Sequence, residues 1–123
     1  MKYLIIVTGP PYGTQNSNTS FLFSKSVIKL GHILYSIFFH FDGVLNANNL
    51  ISPNNDEFNI LQAWKDLYVN YNVKLNLCYS AAMRRGVIKN IKKKYSNISS
   101  CFKLTGLMKL GFCINKCDRV IQF

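Results

Sequence analysis

Cysteine is the residue type best placed for covalent chemistry in this sequence, and it occurs four times, as Cys78, Cys101, Cys113 and Cys117. Cys78 ends the third strand, Val73 to Leu77, and precedes a segment with helical character, Ala81 to Met83, that carries Arg84 and Arg85. A thiol at the carboxyl end of a strand and just before a helix stands where open α/β folds place ligands and nucleophiles. The positive end of the helix dipole, with an arginine about one turn later, favours the thiolate there, and the thiolate is the reactive form. The competing reading is a buried structural cysteine, since free cysteine is among the most buried residue types. On spacing alone the two readings stand level.

Other constellations carry less. The loop Thr8-Gly9-Pro10-Pro11-Tyr12-Gly13-Thr14 follows the first strand, where dinucleotide enzymes hold phosphates. It has neither a Gly-x-Gly-x-x-Gly nor a Gly-Lys-Ser/Thr pattern, and its two prolines remove N–H donors that a phosphate would need. It reads either as a rigid wall beside the Cys78 pocket or as a plain turn, and no cofactor is expected. Cys113 and Cys117 are spaced Cys-x-x-x-Cys with Cys101 upstream, but structural zinc sites pair ligands on both halves, and His32 and His40 have no second pair nearby. No metal is expected. With only five acidic residues and no Gly-x-Ser-x-Gly elbow, hydrolytic machinery is hard to assemble.

These side chains must be positioned by a single domain, residues 1–123, long enough for one core. Tyr3 to Val7 is a continuous apolar run ended by a Gly/Pro turn, which suits a strand buried on both faces of a parallel sheet. It is too short for a secretory segment. Ser17, Asn18 and Thr19 are helix caps, and Phe23, Val27 and Leu30 recur at helical spacing before Gly31 stops the helix. Ile33 to Phe39 is the next strand, so the unit is βαβ. Asp42 to Asp56 is a long Asn-rich loop, of the kind that is functional or interfacial. Asp56 and Glu57 start a helix whose buried stripe is Leu61, Trp64, Leu67/Tyr68 and Tyr71. Thr105 to Leu110 is a short helix and Arg119 to Phe123 a closing strand. The expected fold is α/β, a single-domain open sandwich of four to five mainly parallel strands with helices on both faces.

The formal charge of +10 raises an RNA-binding alternative through Arg84, Arg85, Lys89 and Lys92 to Lys94. Twelve of the fifteen basic residues are Lys, in a chain also crowded with Asn, Ile and Tyr, a composition that AT-rich codons produce without selection for a ligand. Ile33 to Phe41 is far short of the roughly 20 residues of a membrane span, so the chain is expected to be cytoplasmic, with no membrane association and without stable disulfides.

Five segments, TGPPYGT, FDGVLNANNLISPNNDEF leading into AWKDL, LNLCYSAAMRRGV, the Leu-Thr-Gly-Leu at 104 to 107, and CDRVIQF, closely resemble the DsrE-like sulfurtransferase family, from the first strand to the last residue. The resemblance implies that Cys78 carries sulfur as a cysteine persulfide in a relay toward 2-thiouridine at the tRNA wobble position. It implies a heterohexamer with TusB-like and TusC-like subunits, two copies of each, a TusA-like sulfur donor and a TusE-like acceptor, with no direct tRNA binding by this chain. A non-catalytic structural subunit of the same complex is the remaining alternative. The Lys/Asn-rich segment from Asn90 to Asn97, Cys101 and Cys113 depart from the family pattern.

Overall fold

The computed structural model describes residues 1–123. Its main sheet has five strands, all parallel, in the order β6-β3-β2-β1-β7. β1 (Lys2–Val7) leads through α1 (Asn16–Lys29) to β2 (Ile33–Phe39), and a 3-10 turn (Phe41–Ala47) and α2 (Ile60–Tyr71) lead to β3 (Lys74–Cys78). After α3 (Tyr79–Arg84) comes a small antiparallel hairpin, β4 (Lys89–Asn90) with β5 (Tyr95–Ser96). β6 (Phe102–Thr105), α4 (Leu107–Lys116) and β7 (Arg119–Gln122) complete the chain. The α/β class with helices around a mainly parallel sheet is as the sequence predicts. No helix is long and apolar enough to cross a membrane.

Strand order dictates the layers. The chain steps from β1 to β2 to β3 in one direction, so right-handed crossovers put α1 and α2 on the same face. It then returns across the sheet from β6 to β7, which puts α4 on the opposite face, against β1 and β2. Alternation along each strand divides the side chains accordingly. Val7, Phe39 and Leu77 face α1 and α2, where Trp64 is fully buried with its ring 5.2 Å from Phe39 and 5.7 Å from Phe21. Leu4, Ser36, Phe38 and Asn76 face the α4 side.

Several element boundaries differ from the sequence reading, each for a local reason. α1 begins at Asn16, and Ser17 lies inside it; its buried stripe is Ser17, Ser20, Phe21, Ser24 and Val27, while Leu30 is exposed beyond the helix end. Ser20 and Ser24 return their hydroxyls to the carbonyls of Ser17 and Ser20, both at 2.7 Å, so small polar side chains sit satisfied in a close helix–sheet contact. α2 starts later than Asp56, because Asn59 caps it by accepting from the Gln62 N–H at 3.0 Å. It buries Ile60, Leu61, Ala63, Trp64 and Leu67, leaving Tyr68 and Tyr71 exposed. The basic run Lys92 to Lys94 forms the turn of the hairpin and does not continue α3. Thr105 ends a strand, and the helix after it starts at Leu107.

Candidate functional site

In a parallel sheet the carboxyl ends of the strands gather along one rim. Among the four free thiols Cys78 alone is there, as the last residue of β3; Cys101 precedes β6, Cys113 lies within α4, and Cys117 precedes β7. Cys78 is 2% exposed. Its backbone is extended, φ −63° and ψ 117°, before α3 begins at Tyr79. Asn76, two residues earlier, donates to Ser36 Oγ on β2 at 2.7 Å, so alternation places Cys78 on the same α4-side face.

Cys78 has a neighbour on each side. Across β6 it pairs directly with Thr105. Toward β2 the register ends with Phe38↔Asn76 and Phe39↔Leu77; His40 follows Phe39 directly, as Cys78 follows Leu77. His40 remains extended, φ −136° and ψ 163°, and its N–H continues the ladder to the Val7 carbonyl at 2.9 Å. His40 and Phe38 share a face, with ring centroids 6.3 Å apart. Sequence reasoning weighs His40 as a metal ligand or a hydrolytic histidine and Thr105 as a helix start. Both terminate strands that flank the Cys78 strand, which is the signal that could have found them had β6 been recognised.

The turn after His40 is tightly held. Gly43 presses on β1 so closely that a Cβ there would lie 1.9 Å from the Val7 carbonyl oxygen. The same turn puts Phe41 at φ +48°, a costly conformation for a bulky side chain. Phe41 lies 4.1 Å from His40 between ring centroids and is exposed. Asp42 accepts from Arg85 Nε at 2.8 Å, which ties the turn to α3. Burial, then Arg85, then Arg84 lower the His40 pKa below 6.5, so the imidazole is neutral at neutral pH.

The helix and arginines after Cys78 are placed as follows. α3 has six residues, which limits its dipole, and Arg85 is engaged with Asp42 and with the Ala81 carbonyl at 3.2 Å. Arg84 is exposed at the end of α3.

The other candidates fall elsewhere. The Thr8 to Thr14 loop bonds to α1, the 3-10 turn and the segment before α2: the Gly9 carbonyl accepts from Ser17 Oγ at 2.9 Å and Asn46 Nδ2 at 3.2 Å, and Tyr12 donates to the Phe58 carbonyl at 2.7 Å. Residues 11 to 14 of that loop line a cleft with Gln15, Glu57, Phe58 and Ile60. Cys101 Sγ lies 3.3 Å from Ser99 Oγ. Cys113 is fully buried, and burial, then Cys113 and Asp118, raise the Cys117 pKa. His32 stacks on Tyr3 with centroids 5.5 Å apart. Lys89 and Lys92 to Lys94 are exposed on the hairpin.

Comparison with known proteins gives consistent results. The DsrE/DsrF-like family model matches residues 1–123. Proteins named Sulfurtransferase TusD in Buchnera aphidicola subsp. Acyrthosiphon pisum, subsp. Schizaphis graminum and subsp. Baizongia pistaciae are 54%, 52% and 50% identical, with all of this chain and all of each relative covered. The crystal structure of the ychN protein from E. coli superposes with a TM-score of 0.81 at 22% identity, covering both chains completely. It shares the fold.

Proposed function

The chain belongs to the DsrE/DsrF-like family and is a sulfurtransferase, and from that premise we propose that it accepts sulfur as a persulfide on Cys78 and hands it to a partner protein. The relay so served ends in 2-thiouridine at the tRNA wobble position. The observation that carries this reading is that Cys78 alone among four thiols sits on the carboxyl rim of the parallel sheet. In that position it is flanked by two strand ends and followed by the Arg84/Arg85 segment.

The chemistry needs no cofactor. The Cys78 thiolate attacks the outer sulfur of a donor persulfide, the donor thiolate leaves, and a partner thiolate later attacks the persulfide on Cys78. With 2% exposure, Cys78 accepts a donor only when the side chains above it shift, so docking and opening belong to the same event. The donor is a TusA-like protein and the acceptor a TusE-like protein.

The chain works with TusB-like and TusC-like subunits in a heterohexamer holding two copies of each. Leu107, Met108, Phe112 and Ile114 are exposed along α4, an apolar surface of the kind that subunits cover. Four free cysteines accord with a reducing compartment, and we assign the protein to the cytoplasm.

Replacing the chromosomal copy with Cys78→Ser and measuring 2-thiouridine in bulk tRNA tests the relay. Loss of the modified base with the complex still assembled is expected. Unchanged 2-thiouridine would remove Cys78 from the pathway. A tight, specific tRNA complex formed by this chain alone would favour the RNA-binding alternative over the carrier role, and that complex would weaken steeply with salt.

A further inference from the structure

Two buried side-chain polar atoms in the molecule have no hydrogen-bond partner, His40 Nδ1 and Thr105 Oγ1. Buried polar groups are almost always paired, so each unpaired one calls for an explanation. These two lie on either side of one residue. Thr105 is the register partner of Cys78 on β6, and His40 is the extended residue directly after Phe39, whose β2 register partner Leu77 directly precedes Cys78. Neighbouring strands are about 4.8 Å apart and side chains two residues apart share a face, so Thr105 is placed beside Cys78, and His40, on the Phe38 face, at the adjoining strand end.

We propose that Thr105 Oγ1 and His40 Nδ1 form a two-sided cradle that holds the outer sulfur of the Cys78 persulfide by hydrogen bonds. The proposal rests on the reading of Cys78 as the sulfur carrier, and it names the residues that retain the cargo. An empty thiol leaves both atoms unpaired; a second sulfur, extending beyond Sγ, gives both of them a partner. Thr105 donates its hydroxyl hydrogen. The His40 imidazole, held neutral by partial burial and by Arg85 and Arg84, donates from Nδ1 in the corresponding tautomer. Hydrogen bonds to a charged acceptor are the strong kind, and a perthiolate is such an acceptor.

The step balances without any oxidant. The Cys78 thiolate forms a bond to the outer sulfur of the donor persulfide, and the donor's sulfur–sulfur bond breaks with its electron pair leaving on the donor sulfur. The proton of the transferred sulfhydryl passes to that departing thiolate. The products are a Cys78 perthiolate and a donor thiol, with charge and oxidation level conserved. Stabilising the perthiolate therefore draws the exchange toward loaded Cys78.

The test equilibrates the protein with cysteine persulfide and measures the fraction of Cys78 carrying sulfur by mass spectrometry of alkylated peptides. Thr105→Val keeps the shape and removes the hydroxyl, whereas Thr105→Ser keeps the hydroxyl and removes the methyl. His40→Phe and His40→Asn make the same contrast for the ring nitrogen. Loss of one charge-assisted hydrogen bond corresponds to roughly a tenfold fall in the loading equilibrium. Thr105→Val and His40→Phe are each expected to show that fall, with Thr105→Ser and His40→Asn restoring most of it. Should Thr105→Val fail to fold by Trp64 fluorescence, the His40 pair decides alone. Equal loading in wild type, Thr105→Val and His40→Phe overturns the cradle and leaves the carrier role intact. A fall in Thr105→Ser with none in Thr105→Val also overturns it, since packing would then be the cause. Wild-type protein that takes no sulfur on Cys78 sinks the carrier reading and the cradle with it.

Discussion

Asn46→Ala should remove a large part of this protein's stability, because Asn46 ties four elements together from a position with no solvent exposure. Its Oδ1 accepts from Trp64 Nε1 at 2.9 Å. Its Nδ2 donates to the Gly43 carbonyl and Ser17 Oγ, both at 2.9 Å, and to the Gly9 carbonyl at 3.2 Å. The truncation strips the indole N–H of its acceptor and takes a donor from three oxygens. Ser17 still donates to the Gly9 carbonyl, so the loss is smaller than four bonds. Orphaning one buried donor costs about 1–3 kcal/mol, and the weakened acceptors and the small void add to it, for a total of about 3 kcal/mol. With a urea slope of about 1–3 kcal/mol per molar, the unfolding midpoint should fall by roughly 1–3 M. Trp64 is the single tryptophan, so its fluorescence reports both the transition and the lost hydrogen bond. A midpoint loss equivalent to under about 0.5 kcal/mol, with unchanged emission, would refute the reasoning, since it would mean that water or a neighbour replaces Asn46 at no cost.

Gly43→Ala should destabilise by more than about 3 kcal/mol, because the added methyl would sit 1.9 Å from the Val7 carbonyl oxygen and backbone must move; equilibrium unfolding or expression as insoluble protein reads this out. Arg85→Ala should cost under about 1 kcal/mol, since its partner Asp42 is 58% exposed and such pairs are weak in water; a loss of several kcal/mol in urea unfolding would mean the pair holds the turn. The His40 pKa is lowered in the folded protein, so the unfolded chain binds this proton more readily. The stability due to this group is fully present above about pH 6.5 and is lost as pH falls from there through the folded pKa. Urea midpoints measured across that window should therefore fall less steeply with acidification in His40→Phe than in wild type, and identical slopes would contradict a lowered His40 pKa in the folded protein.

The reach and the limits of sequence reading both show in particular residues. Cys78 was legible because the alternating strand pattern Val73-Lys74-Leu75-Asn76-Leu77 runs into it; β7 was legible from its alternation, and β1 and β2 from their apolar runs. β6 was not: Phe102 to Thr105 is four residues with two polar members, and it becomes a strand by pairing with β3. Missing it hid Thr105, whose importance comes from register and not from local pattern. α1 misled in the opposite direction. Its buried face is built largely from Ser17, Ser20 and Ser24, and a search for large apolar residues at helical spacing passes over these serines and selects Leu30, which is exposed. The Arg84/Arg85 argument for an activated thiol overlooked Asp42, which stands far away in sequence and engages Arg85 in the fold. His40 shows the same limit, since two strands must be placed side by side before it is seen to border Cys78.

The central claim is that Cys78 carries the sulfur, and locating one added sulfur atom tests it most directly. Wild-type protein is loaded from a persulfide donor, its thiols and persulfides are alkylated under denaturing conditions, and the peptides containing Cys78, Cys101, Cys113 and Cys117 are weighed. The carrier account predicts the extra sulfur on the Cys78 peptide, none on the other three, and no loading at all in Cys78→Ser. Extra sulfur mainly on Cys101, Cys113 or Cys117, or full loading and transfer by Cys78→Ser, would contradict it.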